Sequence, residues 1–267
     1  MASFSDSPLE VAAEIIEALQ DDLTALKACS LTCRSLLPLC RRFIFRSIEL
    51  VRSFTAQRHG LPRNVILFGR LLDSNPKFSD YVQNLVYQIQ PQDFNDYDVP
   101  RILTQFRRLQ SFCLIGGDAV WDTLRQPLRE SLLRIIRLPS ITSLEISYLR
   151  VFPIALFSFC SNLTTLVLTH IGNDSMDEYQ KKYPIPNEVP QPSSFTFGVS
   201  VGNYVGRLVS ANQSNGLPVL SFHNVRSLSV NVDKYSGLQA VHALLKATHK
   251  LETLEYIGMS HNGSSEP

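Results

Sequence analysis

The sequence predicts an α/β protein in which a three-helix amino-terminal module precedes stacked strand-and-helix units, their parallel strands carrying helices on one side. Three observations predict it. Residues 7–50 place apolar side chains at helical spacing. Beyond Leu50 the phrase apolar-x-x-apolar-x-apolar recurs six times, usually after a stretch with helical periodicity. Finally, 267 residues at 44% hydrophobic composition suffice for a sizeable core.

The module reads as follows. Ser7-Pro8-Leu9-Glu10 has the pattern of a capping box, with Pro8 at the first helical position, where no N–H is needed. Glu10, Glu14 and Glu17 share a narrow face; Val11, Ile15, Ala18 and Leu19, flanked by Ala12 and Ile16, cover the opposite side. Asp22 is placed to cap a second helix with a stripe of Leu23, Leu26, Cys29, Cys33, Leu36 and Leu37. That stripe leaves Ala28 and Leu31 without an internal partner. Pro38 is expected to interrupt, and Leu39, Cys40, Phe43, Ile44 and Phe45 form a third, shorter helical segment before the extended Ser47–Leu50. Three short helices cannot bury this much apolar surface, so a partner is implied.

Six copies of the phrase begin at Val82, Leu109, Ile141, Leu163, Val225 and Leu251, in steps of 27, 32, 22, 62 and 26 residues. Helical periodicity precedes several of them, over Val99–Phe106, Leu128–Ile136, Ile154–Phe159 and Leu238–Ala247. A strand and a crossover helix, repeated, build a parallel sheet that stays open until the next unit stacks on it. An ordinary α/β domain whose strands share the phrase would fit the same residues. The long step holds an excursion between Gly172 and Gly216, rich in Pro, Asn, Ser and Gly, in which Phe195–Val209 reads as a hairpin. No polar capping unit follows the last phrase. The final sheet edge is therefore expected to be open, in a shortened array or under a partner.

Bulk properties narrow the function classes. Net charge is +1, but residues 1–22 hold six acids and no base, while residues 34–70 hold eight arginines and only Glu49. This is a solvated surface or a contact to an acidic partner, and it points to neither nucleic acid nor membrane. No apolar run reaches membrane-spanning length. Five cysteines without framework spacing predict reduced thiols in the cytoplasm or nucleus. Cys29 and Cys33 lack partners for zinc. There is no GxSxG, HExxH, CxxC or phosphate loop, so neither catalysis, a metal nor a cofactor is expected. The histidines are scattered; His242 and His249, seven apart, read as one solvated helix face, and Gly116-Gly117-Asp118 reads as a turn beside the rim aromatic Trp121.

Residues 7–50 resemble the F-box, the motif by which ubiquitin-ligase receptors dock on the Skp adaptor of a cullin–RING ligase, and are most similar to the looser forms of large fungal families. The resemblance lies in Pro8-Leu9-Glu10-Val11, Ile15, Ile16, Leu19, Asp21-Asp22-Leu23, Leu26 and Cys29–Arg34. Ser7 stands where the family usually has Leu, and Leu36 where it often has Trp. The resemblance implies adaptor contacts from Pro8, Leu9, Val11, Ile15, Leu19, Leu23, Leu26, Leu31 and Leu36, and through the adaptor a cullin. After a connecting helical segment over 51–80, residues 81–260 resemble the irregular leucine-rich repeats that commonly follow an F-box, with the insertion at about 172–216 and a disordered tail over 261–267. In such an array Glu145, Ser147, Val167, Thr169, Ser229, Asn231 and Glu255 line the concave face, where a protein substrate is expected to bind. The resemblance thus implies a non-catalytic substrate receptor. In a repeat scaffold of another class, the module would only cap the array and would bury Ile16 and Leu31 beneath residues 50–90. An enzyme of unrecognised type would show a deep polar pocket with converging titratable groups.

Overall fold

The computed structural model describes residues 8–51, 64–172, 188–232 and 235–258. Helices α1 (Leu9–Ala18), α2 (Leu23–Thr32) and α3 (Leu36–Ile44) form the amino-terminal module. Helix α1 starts after Pro8, whose carbonyl accepts from the Ala12 N–H at 3.2 Å; Ser7, the expected cap, lies outside the described residues. Asp22 caps α2 as its sequence position predicts, accepting from the Ala25 N–H at 2.9 Å. Pro38 does not interrupt α3. It sits in the first turn, where the missing N–H would have had no intrahelical acceptor.

The module ends in strand β1 (Ser47–Leu50), the first of eight: β2 (Asn84–Gln88), β3 (Ser111–Val120), β4 (Ser143–Arg150), β5 (Thr165–Thr169), β6 (Ser194–Phe197), β7 (Ser227–Val232) and β8 (Thr253–Gly258). They form one sheet in sequential order, every neighbouring pair parallel. The connections carry α4 (Asn64–Ser74), α5 (Asp98–Leu103), α6 (Gln126–Ile136), α7 (Gly202–Ser210) and α8 (Tyr235–Ala247). The 22-residue step between Leu144 and Leu166 carries only the 3-10 turn Ile154–Phe159, because so short a crossover has no room for several α turns. Crossovers of one hand bring every helix to the same face of such a sheet.

The periodic phrase becomes two buried rows. Ile48, Leu85, Phe112, Leu144, Leu166, Phe195, Leu228 and Leu254 are aligned by the register, as are Leu50, Tyr87, Leu114, Ile146, Leu168, Phe197, Val230 and Tyr256. From Leu85 to Val230 each of these side chains is buried. A backbone device marks every step. Two consecutive N–H groups at the entry to each strand donate to one carbonyl of the preceding unit: Gln83 and Asn84 to Arg46, Gln110 and Ser111 to Gln83, Thr142 and Ser143 to Gln110, and so on to Glu252 and Thr253 on Arg226. The same local solution seven times over is what stacked repeats require.

Three expectations need correction. Phe195–Val209 is not a hairpin: Phe195 and Phe197 belong to parallel strand β6 and the residues after them to α7, so the described part of the excursion is another strand–helix unit. The sheet begins inside the amino-terminal module, since Ile48 pairs with Leu85. Gly116-Gly117-Asp118 is a bulge within β3, whose pairing with β4 resumes at Ala119 on Leu149, and Trp121 is fully buried, edge-to-face on Phe152 with ring centres 5.2 Å apart.

Candidate interaction surfaces

The module has a core of its own, Ala12, Ile16, Leu26, Leu36 and Cys40, separate from the large core under the sheet. Its inner face on α1 is thus Ala12 and Ile16, with Leu19 packed against them, which turns Val11, Ile15 and Ala18 outward at i, i+4, i+7. Pro8, Leu9, Val11, Ile15, Leu23 and Leu31 are exposed, Leu31 at 87%. Two of the expected contacts are interior rather than on the surface: Leu26 lies in the module's core, and Leu36 joins it because α2 ends at Thr32 and Leu36 opens α3; Leu19 is half-buried. The module joins the sheet through Phe45, whose ring centre is 4.6 Å from that of Phe78, and through Arg46, which donates to Gln20 Oε1 at 3.2 Å and Gln83 Oε1 at 3.0 Å.

The second surface is the sheet face without helices. Its middle row runs Glu49, Val86, Cys113, Glu145, Val167, Thr196, Ser229 and Glu255, and its lower row is Ser47, Asn84, Ser111, Ser143, Thr165, Ser194, Ser227 and Thr253. Every strand therefore opens on a hydroxyl or carboxamide. Of the residues expected here, Glu145, Val167, Thr169, Ser229 and Asn231 are half-buried and Glu255 is exposed. Ser147 is buried, at the last paired position before the bulge of β3, and so presents nothing to a partner. Thr196 was not among those expected, since it becomes a row member only once β6 is a parallel strand. The Ser229 hydroxyl donates to Glu255 Oε2 at 2.9 Å. At the upper end of the strands, Tyr148 and His170 stack with ring centres 4.4 Å apart, both at positive φ, a pairing set by the register Ser147 with Thr169.

The cysteines divide by environment. Burial, then the neighbouring Glu145 carboxylate, push the Cys113 thiol up to about 12, and burial pushes Cys160 up to about 12. Cys33 is lowered, chiefly by its contact with the Ser35 hydroxyl at 2.8 Å. Alkylation by iodoacetamide at pH 8, followed by mass spectrometry, should therefore modify Cys33 well before Cys113 and Cys160. Equal rates at Cys33 and Cys113 would contradict this placement.

Among the described residues no three His, Cys, Asp or Glu converge to hold a metal, and no helix is long and apolar enough to cross a membrane. Asp73 and Arg101 form an exposed ion pair at 2.6 Å between α4 and α5, whose hydrogen bond lowers the carboxyl pKa and raises that of the guanidinium. The molecule is thus an α/β protein with an eight-stranded parallel sheet and an amino-terminal helical module that has a core of its own. No protein-family model matches the chain, and no curated protein matches it.

Proposed function

We propose that the chain is the substrate receptor of an SCF-type cullin–RING ubiquitin ligase, an F-box protein whose amino-terminal helices dock on a Skp-family adaptor, and through it a cullin, while degenerate leucine-rich repeats hold a protein substrate. One observation carries the reading: α1 and α2 keep Leu9, Val11, Ile15, Leu23 and Leu31 outside a core that is already complete without them. Capping the sheet does not account for those residues. That role falls to Phe45, Ile48 and Leu50, which pack on the large core, while Leu31 is exposed and Ile16 belongs to the module's own core rather than packing on the described residues of 50–90.

On this reading the protein acts in the cytoplasm or nucleus and supplies proximity rather than chemistry. The substrate lies on the helix-free face, where Glu145, Val167, Thr169, Thr196, Ser229, Asn231 and Glu255 stand in adjacent repeats. The test is a pull-down on purified adaptor, wild type against the double variant Leu9→Asp, Ile15→Asp. The wild type should be retained and the double variant lost, since a charge on an interface anchor leaves it buried and unpaired. Equal retention, or none in either, would sink the proposal.

A further inference from the structure

We infer that His223 and His249 form a two-imidazole chelate for a divalent transition ion that prefers right-angle coordination, copper(II) or nickel(II), joining the last two strand–helix units. The residues are 26 positions apart, the same step that separates Leu228 from its ladder partner Leu254. They occupy equivalent places in consecutive repeats, just ahead of β7 and β8. Each backbone is fixed by its own turn: Val225 N–H donates to Phe222 O at 3.1 Å around His223, and Thr248 N–H to Leu244 O at 2.8 Å beside His249.

The Nδ1 atoms are 3.0 Å apart, and the ring centres 4.5 Å apart, with planes inclined by 37°. A head-on N–H···N hydrogen bond of that length would hold the ring centres about 5.3 Å apart. The shorter observed separation means that the two rings do not meet head-on, so both Nδ1 lone pairs are directed off the N···N line. Two nitrogens each about 2.0–2.1 Å from one ion and at right angles lie roughly 2.9 Å apart, whereas tetrahedral angles require roughly 3.3–3.4 Å. The 3.0 Å spacing matches adjacent positions of a square-planar or octahedral ion more nearly than tetrahedral ones. Both Nδ1 atoms must be unprotonated, with Nε2–H turned to solvent, and both rings are exposed, which leaves the remaining positions to water.

The tag-free full chain is titrated with copper(II) or nickel(II) chloride, with magnesium chloride as control. One equivalent should bind, the copper spectrum in electron paramagnetic resonance should report two nitrogen donors, and the thermal midpoint should rise. His223→Ala and His249→Ala should each weaken binding at least about tenfold, while His242→Ala, on the exposed side of α8, should not. His223→Gln keeps a polar side chain at the turn and should behave as His223→Ala, and metal-free melting confirms that every variant is folded. Unchanged affinity in either single variant, or no one-to-one binding by about 1 mM ion, overturns the assignment.

Discussion

Leu26→Ala should unfold the amino-terminal module while Leu31→Ala leaves it standing, although the two residues lie five positions apart on the same helix. Leu26 is fully buried in a core of five residues and Leu31 is 87% exposed. Truncating a buried leucine costs about 2–5 kcal/mol, and a core this small has little else to rely on. Because this core is separate from the one beneath the sheet, the loss should be local. Hydrogen exchange should show protection lost over residues 9–44 and kept in β2 to β7. Leu31→Ala should shift stability by no more than about 0.5 kcal/mol, as surface substitutions do. If Leu31 is an anchor for the adaptor, the same change should weaken adaptor binding roughly tenfold or more, since burying a leucine side chain is worth about 1.5–3 kcal/mol. Normal binding by Leu31→Ala removes α2 from the docking surface. Comparable destabilisation by both variants would mean that Leu31 is not in solvent.

Periodicity made the sheet legible, because each phrase places three side chains on one side of a strand entry and that geometry does not depend on the rest of the chain. Val82, Leu109, Ile141, Leu163 and Val225 are all buried, as their places in the phrase require. Two further copies are hidden in the sequence for different reasons. Phe45-x-x-Ile48-x-Leu50 fits the phrase but directly adjoins the helical module, whose periodicity runs into it. Pro192-x-x-Phe195-x-Phe197 has a proline in its first slot, which is tolerated there because the slot precedes the strand and donates nothing to the ladder.

The interaction residues were less legible, since an apolar residue on an amphipathic helix can face in or out. A wide apolar side on α1 concealed that Ala12 and Ile16 are its inner edge and Val11 and Ile15 its outer one. Leu36 fits the α2 stripe only if the helix runs to Pro38; with the chain turning at Cys33, the same residue opens α3 and packs inside. His223 and His249 are 26 residues apart and carry no motif, but the repeat step itself would have paired them.

Gly116→Ala should be among the most damaging single substitutions in the sheet, and Gly117→Ala next to it should be mild, despite the positive φ of Gly117. A Cβ on residue 116 would meet the Tyr148 carbonyl oxygen and lie 2.7 Å from Leu149 Cα and Cβ. These atoms belong to the backbone and buried side chain of β4, so no rotamer change relieves the contact. The strands would have to separate where β3 carries Gly116, Gly117 and Asp118 against the single Tyr148 of β4. The cost should reach several kcal/mol, the range reserved for overpacking against fixed neighbours. At Gly117 the nearest atom to a new Cβ is the Ile89 carbonyl oxygen at 3.4 Å, and φ is +57°. The penalty there is conformational, about 1–2 kcal/mol for an alanine held in the left-handed region. Urea denaturation followed by circular dichroism should show the larger fall in midpoint for Gly116→Ala, with similar slopes for both variants. The reverse order would mean that backbone conformation, and not the approach of β4, made glycine necessary at this bulge. Tyr148, whose carbonyl oxygen the new Cβ would meet, is the residue stacked on His170, so Gly116→Ala should also break the ring stack at the upper rim.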